Sequence, residues 1–271
     1  SLKAKLCVAG RDAIYAYCAE RGIAHQRCGK LIVATDVSQL AKLEALYRQG
    51  LANGVTDLRM IGGDEAMAME PNLFCIAAIS SPSTGIFDSH AYMLALLGDA
   101  ERSGATLAVQ SPVSGGRIAG ERIEITAGDT VLSARIVINA AGLQATQVAR
   151  AIEGYPAQHC PTPHYAKGNY NALAGAAPFK QLIYPMPEIG GTGLHFTMDL
   201  GGQARFGPDV QWLPDDWIDH PEYGVDAART ESFYAKIRSY WPALQDGTLS
   251  PTYCGVRPKI HGPEVAATDF M

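Results

Sequence analysis

The stretch that most constrains the fold of this chain is residues 136–142, which read Ile-Val-Ile-Asn-Ala-Ala-Gly. A β-branched run bounded by turn residues predicts a fully buried strand, of the kind found at the centre of a parallel sheet. In open α/β sheets, ligands bind in the crevice outside the carboxyl ends of such strands. The small residues here would let another molecule approach the backbone closely. Taken alone, the seven residues are better explained as an ordinary strand that leaves the core through a glycine turn, so the surrounding sequence has to decide.

The surrounding sequence changes texture along the chain. Hydrophobic periodicity predicts helices in the first half and around this stretch, and short antiparallel strands after Gly154. The predicted helices are 2–21, a helix capped by Asp36, 64–69, a helix capped by Asp88 or Ser89, 144–152 and 227–241; the predicted strands are 29–35, 75–80, 106–109, 113–118, 122–126, 130–134, 165–173, 181–186, 193–200 and 203–206. The pattern predicts a mixed α/β (α+β) protein.

Composition excludes several function classes. With 271 residues, 47% hydrophobic and 18% charged, and no run of eighteen apolar residues, we predict a globular protein of one large or two moderate domains without a transmembrane segment. A net charge of −5 with scattered Lys and Arg argues against a nucleic-acid partner. The six cysteines and seven histidines show no metal-ligand spacing, so we expect no bound metal ion. We also expect the thiols to be reduced and the protein to be cytoplasmic, with peripheral association at a membrane as an alternative.

The common phosphate-binding and hydrolase motifs are absent. The sequence contains no G-x-G-x-x-G, G-x-x-x-x-G-K-[ST], H-E-x-x-H or G-x-S-x-G. The chain also starts without an initiator Met and stops without a capped element. We interpret it as the middle part of a longer protein.

One group of polar residues could form a binding or catalytic site. Several predicted strands of the second half place polar or charged residues among apolar ones, where they face either solvent or a pocket. Together they supply what a carboxylate substrate needs: a planar cation, a second cation, hydroxyls and an imidazole. These candidates are Arg257, Lys259 or Lys167, Tyr170, Tyr184, Thr197 and His195. A lone His or Tyr more often has a structural role. Arg257 lies between Gly255 and Pro258, where a charged side chain that only contacts solvent is less expected.

Seven blocks in register resemble one family. They are residues 1–4, 29–33, 81–88, 138–143, 167–170, 194–197 and 255–259. Together they resemble the FAD-dependent L-2-hydroxyglutarate dehydrogenase/oxidase family, within the D-amino-acid-oxidase-like flavoproteins. The resemblance covers nearly the whole chain, and it is more specific for the superfamily than for the 2-hydroxy-acid branch.

The resemblance implies a two-domain flavoprotein. A Rossmann-like FAD-binding domain, incomplete here, would be interleaved with an antiparallel-sheet substrate domain. We expect residues 84–153 to form the core of the FAD domain, 1–83 and 154–255 mainly the substrate domain with its N-terminal helix, and 256–271 the start of the return to the FAD domain. The family's N-terminal Gly-rich FAD motif and its C-terminal segment are not in this sequence, so we expect the FAD-binding domain to be incomplete here.

The resemblance also implies an activity and its residues. FAD would be the cofactor, held beside Val113, Ala140, Ala141, Gly142 and Leu143. A small anionic 2-hydroxy acid such as L-2-hydroxyglutarate would be oxidised to the 2-oxo acid by hydride transfer to the flavin, with oxygen or a quinone as electron acceptor. Arg257 would bind the C1 carboxylate, Lys259 or Lys167 the distal one, and His195, with a near-neutral pKa, would accept the hydroxyl proton or bind the oxo oxygen.

Two alternatives remain open. One is an amino-acid oxidase of the glycine or sarcosine type on the same scaffold. The other is a non-catalytic small-acid-binding protein, or a fragment that folds without flavin.

Overall fold

The computed structural model describes residues 1–187, 193–264 and 269. The α-helices are α1 (Leu2–Arg21), α2 (Leu40–Ala52), α3 (Gly63–Met69), α4 (Ser89–Arg102), α5 (Ala145–Arg150) and α6 (Glu231–Arg238). The strands are β1 (His25–Gln26), β2 (Lys30–Ala34), β3 (Arg59–Gly62), β4 (Ala77–Ser81), β5 (Ile86–Phe87), β6 (Val113–Ala119), β7 (Arg122–Ala127), β8 (Thr130–Ala134), β9 (Ile152–Glu153), β10 (His164–Leu173), β11 (Leu182–Pro185), β12 (His195–Met198), β13 (Ala204–Gly207), β14 (Gln211–Trp212) and β15 (Leu249–Lys259). Short 3-10 turns, including Val37–Gln39 and Gly142–Gln144, complete the elements.

The helix ends follow from local chemistry. Ser1 caps α1 by accepting a hydrogen bond from the Ala4 N–H, and Gly22 ends the helix in the left-handed conformation, as glycine does without strain. Asp88 caps α4 by accepting from the N–H groups of His90 and Ala91. Of the two predicted caps for this helix, Asp88 is therefore confirmed.

A nine-stranded sheet dominates the chain. Its order runs β10–β13–β12–β11–β2–β4–β3, and β10 also pairs with β14 and, along its whole length, with β15. Pairing is antiparallel except between β11 and β2. The predicted antiparallel texture after Gly154 is confirmed, and β15 stays paired with β10 up to Lys259.

One face of this sheet forms the main core, and we call it the core face. Leu31, Ile183, Phe196 and Phe206 point from it and pack against Phe233, Ile237 and Tyr240 of the α6 region. Tyr240 also donates a hydrogen bond to the carbonyl of Leu194 at 2.9 Å, which satisfies its hydroxyl inside the core. The opposite face is covered by Leu43 of α2 only at the β2–β4–β3 end. The rest of that face, which we call the open face, has no helix packed on it among the described elements.

A separate four-stranded sheet, in the order β8–β7–β6–β9, forms from the predicted meander. It is thin: from residue 84 to 153, all described, Ile152 alone is buried. Large apolar side chains of this part are exposed, among them Leu94, Leu107 and Val109. This part of the chain therefore does not build a core of its own.

The central expectation for residues 136–142 is wrong in this structure. They are not paired as a strand, and Ile136 and Ile138 are 78% and 86% exposed. The predicted strand 106–109 is likewise unpaired. A β-branched run reflects burial by its neighbours as well as extended backbone, and the described residues place no strand beside it. The run has the composition of a buried strand but lacks neighbouring strands among the described residues.

A buried carboxylate ties two distant segments of the large-sheet part together. Glu70, at the end of α3, is 2% exposed and accepts hydrogen bonds from the N–H groups of Lys180 and Gln181, the latter at 2.7 Å. Burial raises the pKa of its carboxyl, and these donors oppose that rise. Glu70 thus holds the segment that leads into β11.

Replacing Glu70 by Ala should lower the free energy of unfolding by about 1–3 kcal/mol, because two amide donors lose their acceptor. Glu65→Ala on the same helix is the matched control, since Glu65 is exposed and pairs with exposed Arg59 at 2.7 Å. We expect less than about 0.5 kcal/mol from the control. Urea unfolding with an unchanged m-value measures both; equal losses would contradict the role of Glu70.

Candidate active site

The register of β10 and β15 places several predicted residues on the open face. Directly paired residues point to the same side of a sheet, and side chains alternate along each strand. Arg257 pairs with Ala166 and Lys259 with His164. Both cations therefore share a face with Tyr170, four residues along from Ala166.

The neighbouring strands add to the same face. Arg205 of β13 pairs with Thr197 of β12, and His195 pairs with Gly207, so these residues continue the open face. Phe196 pairs with Ile183 on the core face, which puts the next residue of β11, Tyr184, on the open face. The sheet thus gathers side chains from β10, β11, β12, β13 and β15 on one surface.

Aromatic rings form a continuous line across this surface, which we call the aromatic row: Tyr184, His195, Tyr170 and Tyr253. The ring of Tyr184 stacks on that of His195 with 4.1 Å between centroids. The Tyr170 ring stands edge-on to His195 at 6.4 Å and stacks on Tyr253 at 4.8 Å. Such contacts fix the side chains and leave their polar atoms to meet a ligand.

Cations lie along the aromatic row. The Nζ of Lys30 is 4.9 Å from the centre of the Tyr184 ring at one end, and the Cζ of Arg205 is 6.0 Å from that of Tyr253 at the other. Arg205 is also paired with Asp199 at 2.9 Å. Arg257 is exposed on the open face. The row is therefore electropositive.

A cavity of about 260 Å³ opens at the β10–β15 end. Tyr170, Tyr253, Arg257 and Lys259 line it, together with residues 166–168 and the segment from Pro208 to Val210, in which Asp209 is paired with Arg229. The Nζ of Lys259 lies 5.3 Å from the centre of the Trp212 ring. A cavity of this size with two cations and two phenols suits a small anion.

The pKa of His195 is lowered to about 4, which differs from the near-neutral value expected from the sequence. Burial is the largest cause, and the positive charges of Arg257 and Lys30 act in the same direction, while a hydrogen bond with the backbone of Gly193 opposes them. His195 is 7% exposed. At neutral pH it is therefore an uncharged imidazole, able to accept a proton or a hydrogen bond.

The neighbouring phenols remain protonated at neutral pH. Burial raises the pKa of Tyr170 to about 12, although Arg257 opposes the rise. Burial also raises the pKa of Tyr184, again with Arg257 in opposition. Both hydroxyls can act as hydrogen-bond donors to an anionic ligand.

The structure brings most of the predicted site residues together. Tyr170, Tyr184, His195, Thr197, Arg257 and Lys259 share the open face. Lys167 also lines the cavity, but it alternates to the other face, is 8% exposed, and donates a hydrogen bond from Nζ to the Gly224 carbonyl at 3.0 Å. Its ammonium group therefore has a structural contact within the fold.

Sequence reasoning missed Lys30, Tyr253 and Arg205 as site residues. Period-two alternation could have found Tyr253, because it precedes Arg257 by four residues in one strand. Arg205 could also have been found, because it pairs with Thr197 across a short hairpin. Lys30 lies on a strand that pairs with β11 about 150 residues away, and no local signal indicates that pairing.

The predicted cofactor residues lie in the thin part of the chain. Val113 opens β6 and is 41% exposed. Ala140, Ala141 and Gly142 are exposed, and Gly142 has a φ of +57° with no atom within 4 Å of where a Cβ would lie. The carbonyl of Leu143 accepts a hydrogen bond from the hydroxyl of Tyr165 at 3.2 Å, which holds this loop against β10.

The fold and the site define a class: a protein in which a large, mainly antiparallel sheet presents a face lined by cations and aromatic rings, beside a smaller four-stranded sheet. The chain belongs to the FAD dependent oxidoreductase family, DAO, whose sequence pattern matches residues 1–268. This agrees with the resemblance seen in the sequence. In the described residues, no helix is long and apolar enough to cross a membrane, and no cluster of His, Cys, Asp or Glu could hold a metal ion.

Curated relatives extend beyond the chain. An L-2-hydroxyglutarate dehydrogenase, mitochondrial, from Arabidopsis thaliana is 40% identical over 309 residues, with 100% of this chain and 64% of the plant protein covered. The protein of the same name from Homo sapiens is 32% identical, with 78% of this chain and 48% of the human protein covered. The chain thus spans about half to two-thirds of the length of these relatives.

Solved structures share the fold. The dithionite-reduced L-alpha-glycerophosphate oxidase from Mycoplasma pneumoniae with FAD bound aligns with a TM-score of 0.82 at 18% identity, covering 96% of this chain and 68% of that one. Glycine oxidase from Geobacillus kaustophilus aligns with a TM-score of 0.76 at 17% identity, covering 94% of this chain and 67% of that one. At these identities the likeness concerns the fold alone.

The residues present fit one wall of an FAD site. Ala140, Ala141 and Gly142 offer bare backbone, and the side chain of Asn139 holds their turn by accepting from the Ala141 N–H and donating to the Ala145 carbonyl. The described residues contain no glycine-rich strand-to-helix loop that would grip a diphosphate. Residues 140–142 would therefore suit close approach of the cofactor to the backbone.

His195 should stay neutral from pH 8 to pH 5, and Arg257→Met should raise its pKa by removing one of the nearby positive charges. NMR titration of the imidazole nitrogens measures both. Because the folded-state pKa is below the unfolded value, the contribution of His195 to stability is complete above pH 6.5 and is lost as the pH falls toward about 4. Lys5→Met on the exposed part of α1 is the control. A His195 that titrates near pH 6.5 in the unmodified protein would refute this assignment.

Proposed function

We propose that the protein catalyses the FAD-dependent oxidation of a small 2-hydroxy acid, similar to L-2-hydroxyglutarate, to the 2-oxo acid. The observation that carries this proposal is the electropositive aromatic row with a neutral imidazole at its centre. The relatives named L-2-hydroxyglutarate dehydrogenase support the choice of a hydroxy acid over an amino acid. A neutral site base also suits a hydroxyl group, whose proton has to leave during oxidation.

Arg257 is the proposed ligand of the C1 carboxylate. Its planar guanidinium can donate two parallel hydrogen bonds, and it lies on the same face as Tyr170 and Thr197, which would donate further ones. Tyr184 would hold His195 in place through ring stacking. These contacts would orient Cα of the substrate toward the cofactor.

His195 is the proposed acceptor of the hydroxyl proton. When bound, FAD supplies the two-electron oxidation of Cα, and the protein has to orient the substrate and take up one proton. A pKa of about 4 makes His195 a weak base in the unliganded site. A bound carboxylate would offset the charge of Arg257, raise the pKa of His195 and strengthen the base.

The remaining organisation is also proposed. Residues 84–153 would form the core of the FAD domain, 1–83 and 154–255 mainly the substrate domain, and 256–271 the start of the return to the FAD domain. The exposed apolar groups Ile136, Ile138 and Leu94 would be covered by a further part of the protein. Such exposure is unusual for an isolated chain. Oxygen or a quinone would accept the electrons, in the cytoplasm, with peripheral membrane association in the case of a quinone.

Substrate assays test the proposal directly. FAD-loaded protein should oxidise L-2-hydroxyglutarate in the presence of an artificial electron acceptor and should act poorly on glycine and sarcosine. Parallel assays with oxygen and with a soluble quinone identify the acceptor. Faster turnover of the amino acids would replace the proposal by the amino-acid oxidase alternative. Protein that takes up no added FAD, judged by flavin absorbance after gel filtration, would refute it.

Arg257→Lys should lower kcat/KM for the hydroxy acid roughly 30- to 150-fold, because a point charge replaces a bidentate donor. This corresponds to a loss of about 2 to 3 kcal/mol of transition-state stabilisation. Arg48→Lys is the matched control, since Arg48 lies on α2 and pairs with Glu44 at 2.7 Å. An unchanged kcat/KM in the Arg257 variant would remove this residue from the site.

A further inference from the structure

Lys30 is the first residue of β2 and belongs to the open face. It pairs in parallel with Leu182, two residues before Tyr184, so both point from the same side of the sheet. Ile32, the next residue of β2 on that face, packs in the cluster beneath α2. Lys30 therefore stands where the covered part of the face ends and the aromatic row begins.

Among the described residues, no carboxylate is paired with the ammonium group of Lys30. Its Nζ lies 4.9 Å from the centre of the Tyr184 ring, and no Asp or Glu oxygen within residues 1–187 and 193–264 lies within 4.0 Å of it. Burial lowers its pKa. A partly buried cation without a counter-ion is costly, and an anionic ligand would remove this cost.

Lys30 and Arg257 flank the centre of the aromatic row. Both positive charges act on His195, and that of Arg257 acts on Tyr170 as well. The two cations come from opposite ends of the row, because β2 and β15 are separated by β11, β12, β13 and β10. A ligand centred at His195 would have one cation on each side.

The other lysines are less well placed for a second carboxylate. Lys259 follows Arg257 by two residues on the same strand and lies at the same end of the row, beside Trp212. Lys167 is on the core face. A substrate that places one carboxylate at Arg257 and its reacting carbon at His195 therefore extends toward Lys30.

We propose that Lys30 binds the distal carboxylate of a dicarboxylic substrate and so selects diacids over monoacids of the same chain length. The hydroxy-acid part of this inference rests on the proposed function. The recognition of two carboxylates by the two cations does not.

Equilibrium binding tests the inference without turnover. Calorimetry compares glutarate with pentanoate on the unmodified protein, Lys30→Met, Lys30→Arg and the exposed control Lys5→Met. We expect the unmodified protein to prefer glutarate, Lys30→Met to weaken glutarate at least about tenfold while leaving pentanoate within about twofold, and Lys30→Arg to restore most of the difference. Lys30→Gln replaces Lys30→Met if the latter fails to fold.

Failure to discriminate the two acids in the unmodified protein would overturn the inference. So would equal weakening of both acids by Lys30→Met, which would indicate a general structural effect. Unchanged glutarate binding in that variant would overturn it as well.

Turnover separates this inference from the proposed function. With FAD-loaded protein, kcat/KM for L-2-hydroxyglutarate should fall about tenfold or more in Lys30→Met, while that for L-2-hydroxypentanoate should change little. If neither hydroxy acid is oxidised but the glutarate preference disappears in Lys30→Met, the proposed function fails and the role of Lys30 stands. If both hydroxy acids are oxidised and Lys30→Met still prefers glutarate to pentanoate, the role of Lys30 fails and the proposed function stands.

Discussion

The two-residue alternation of side chains along β10 and its neighbours is the constraint on which the rest of the structure depends. It sends Phe196 and Phe206 into the core against α6, and it sends His195 and Arg205 to the opposite face. Because each strand pairs in fixed register, one alternation pattern is extended across the sheet. A slip of one residue in any strand would exchange core and site together, so packing of the core also positions the site.

Much of this organisation could be predicted from the sequence, because the signals are local. Caps at Ser1 and Asp88 and the left-handed Gly22 mark helix ends, and the antiparallel texture after Gly154 predicts the large sheet. Arg257 and His195 were identifiable as polar residues within apolar strands. Strand parity alone also separates Lys167 from Tyr170, since an odd offset places them on opposite faces.

The remainder depends on contacts that no local pattern contains. Lys30 enters the site because β2 joins the sheet beside β11, and that pairing links segments about 150 residues apart. Residues 136–142 show the converse case. Their composition predicts a buried strand, yet burial requires neighbouring strands, and Ile138 remains exposed where the described residues provide none.

Electrostatics then connects substrate charge to the strength of the base. Arg257 and Lys30 both lower the pKa of His195, so each carboxylate bound by one of them relieves part of that effect. Burial remains the larger cause, and bound ligand would exclude water further, which opposes the relief. A dianion offsets two positive charges and a monoanion only one. The imidazole would therefore be a stronger base with a diacid bound, so the selectivity for diacids would appear in proton transfer as well as in binding.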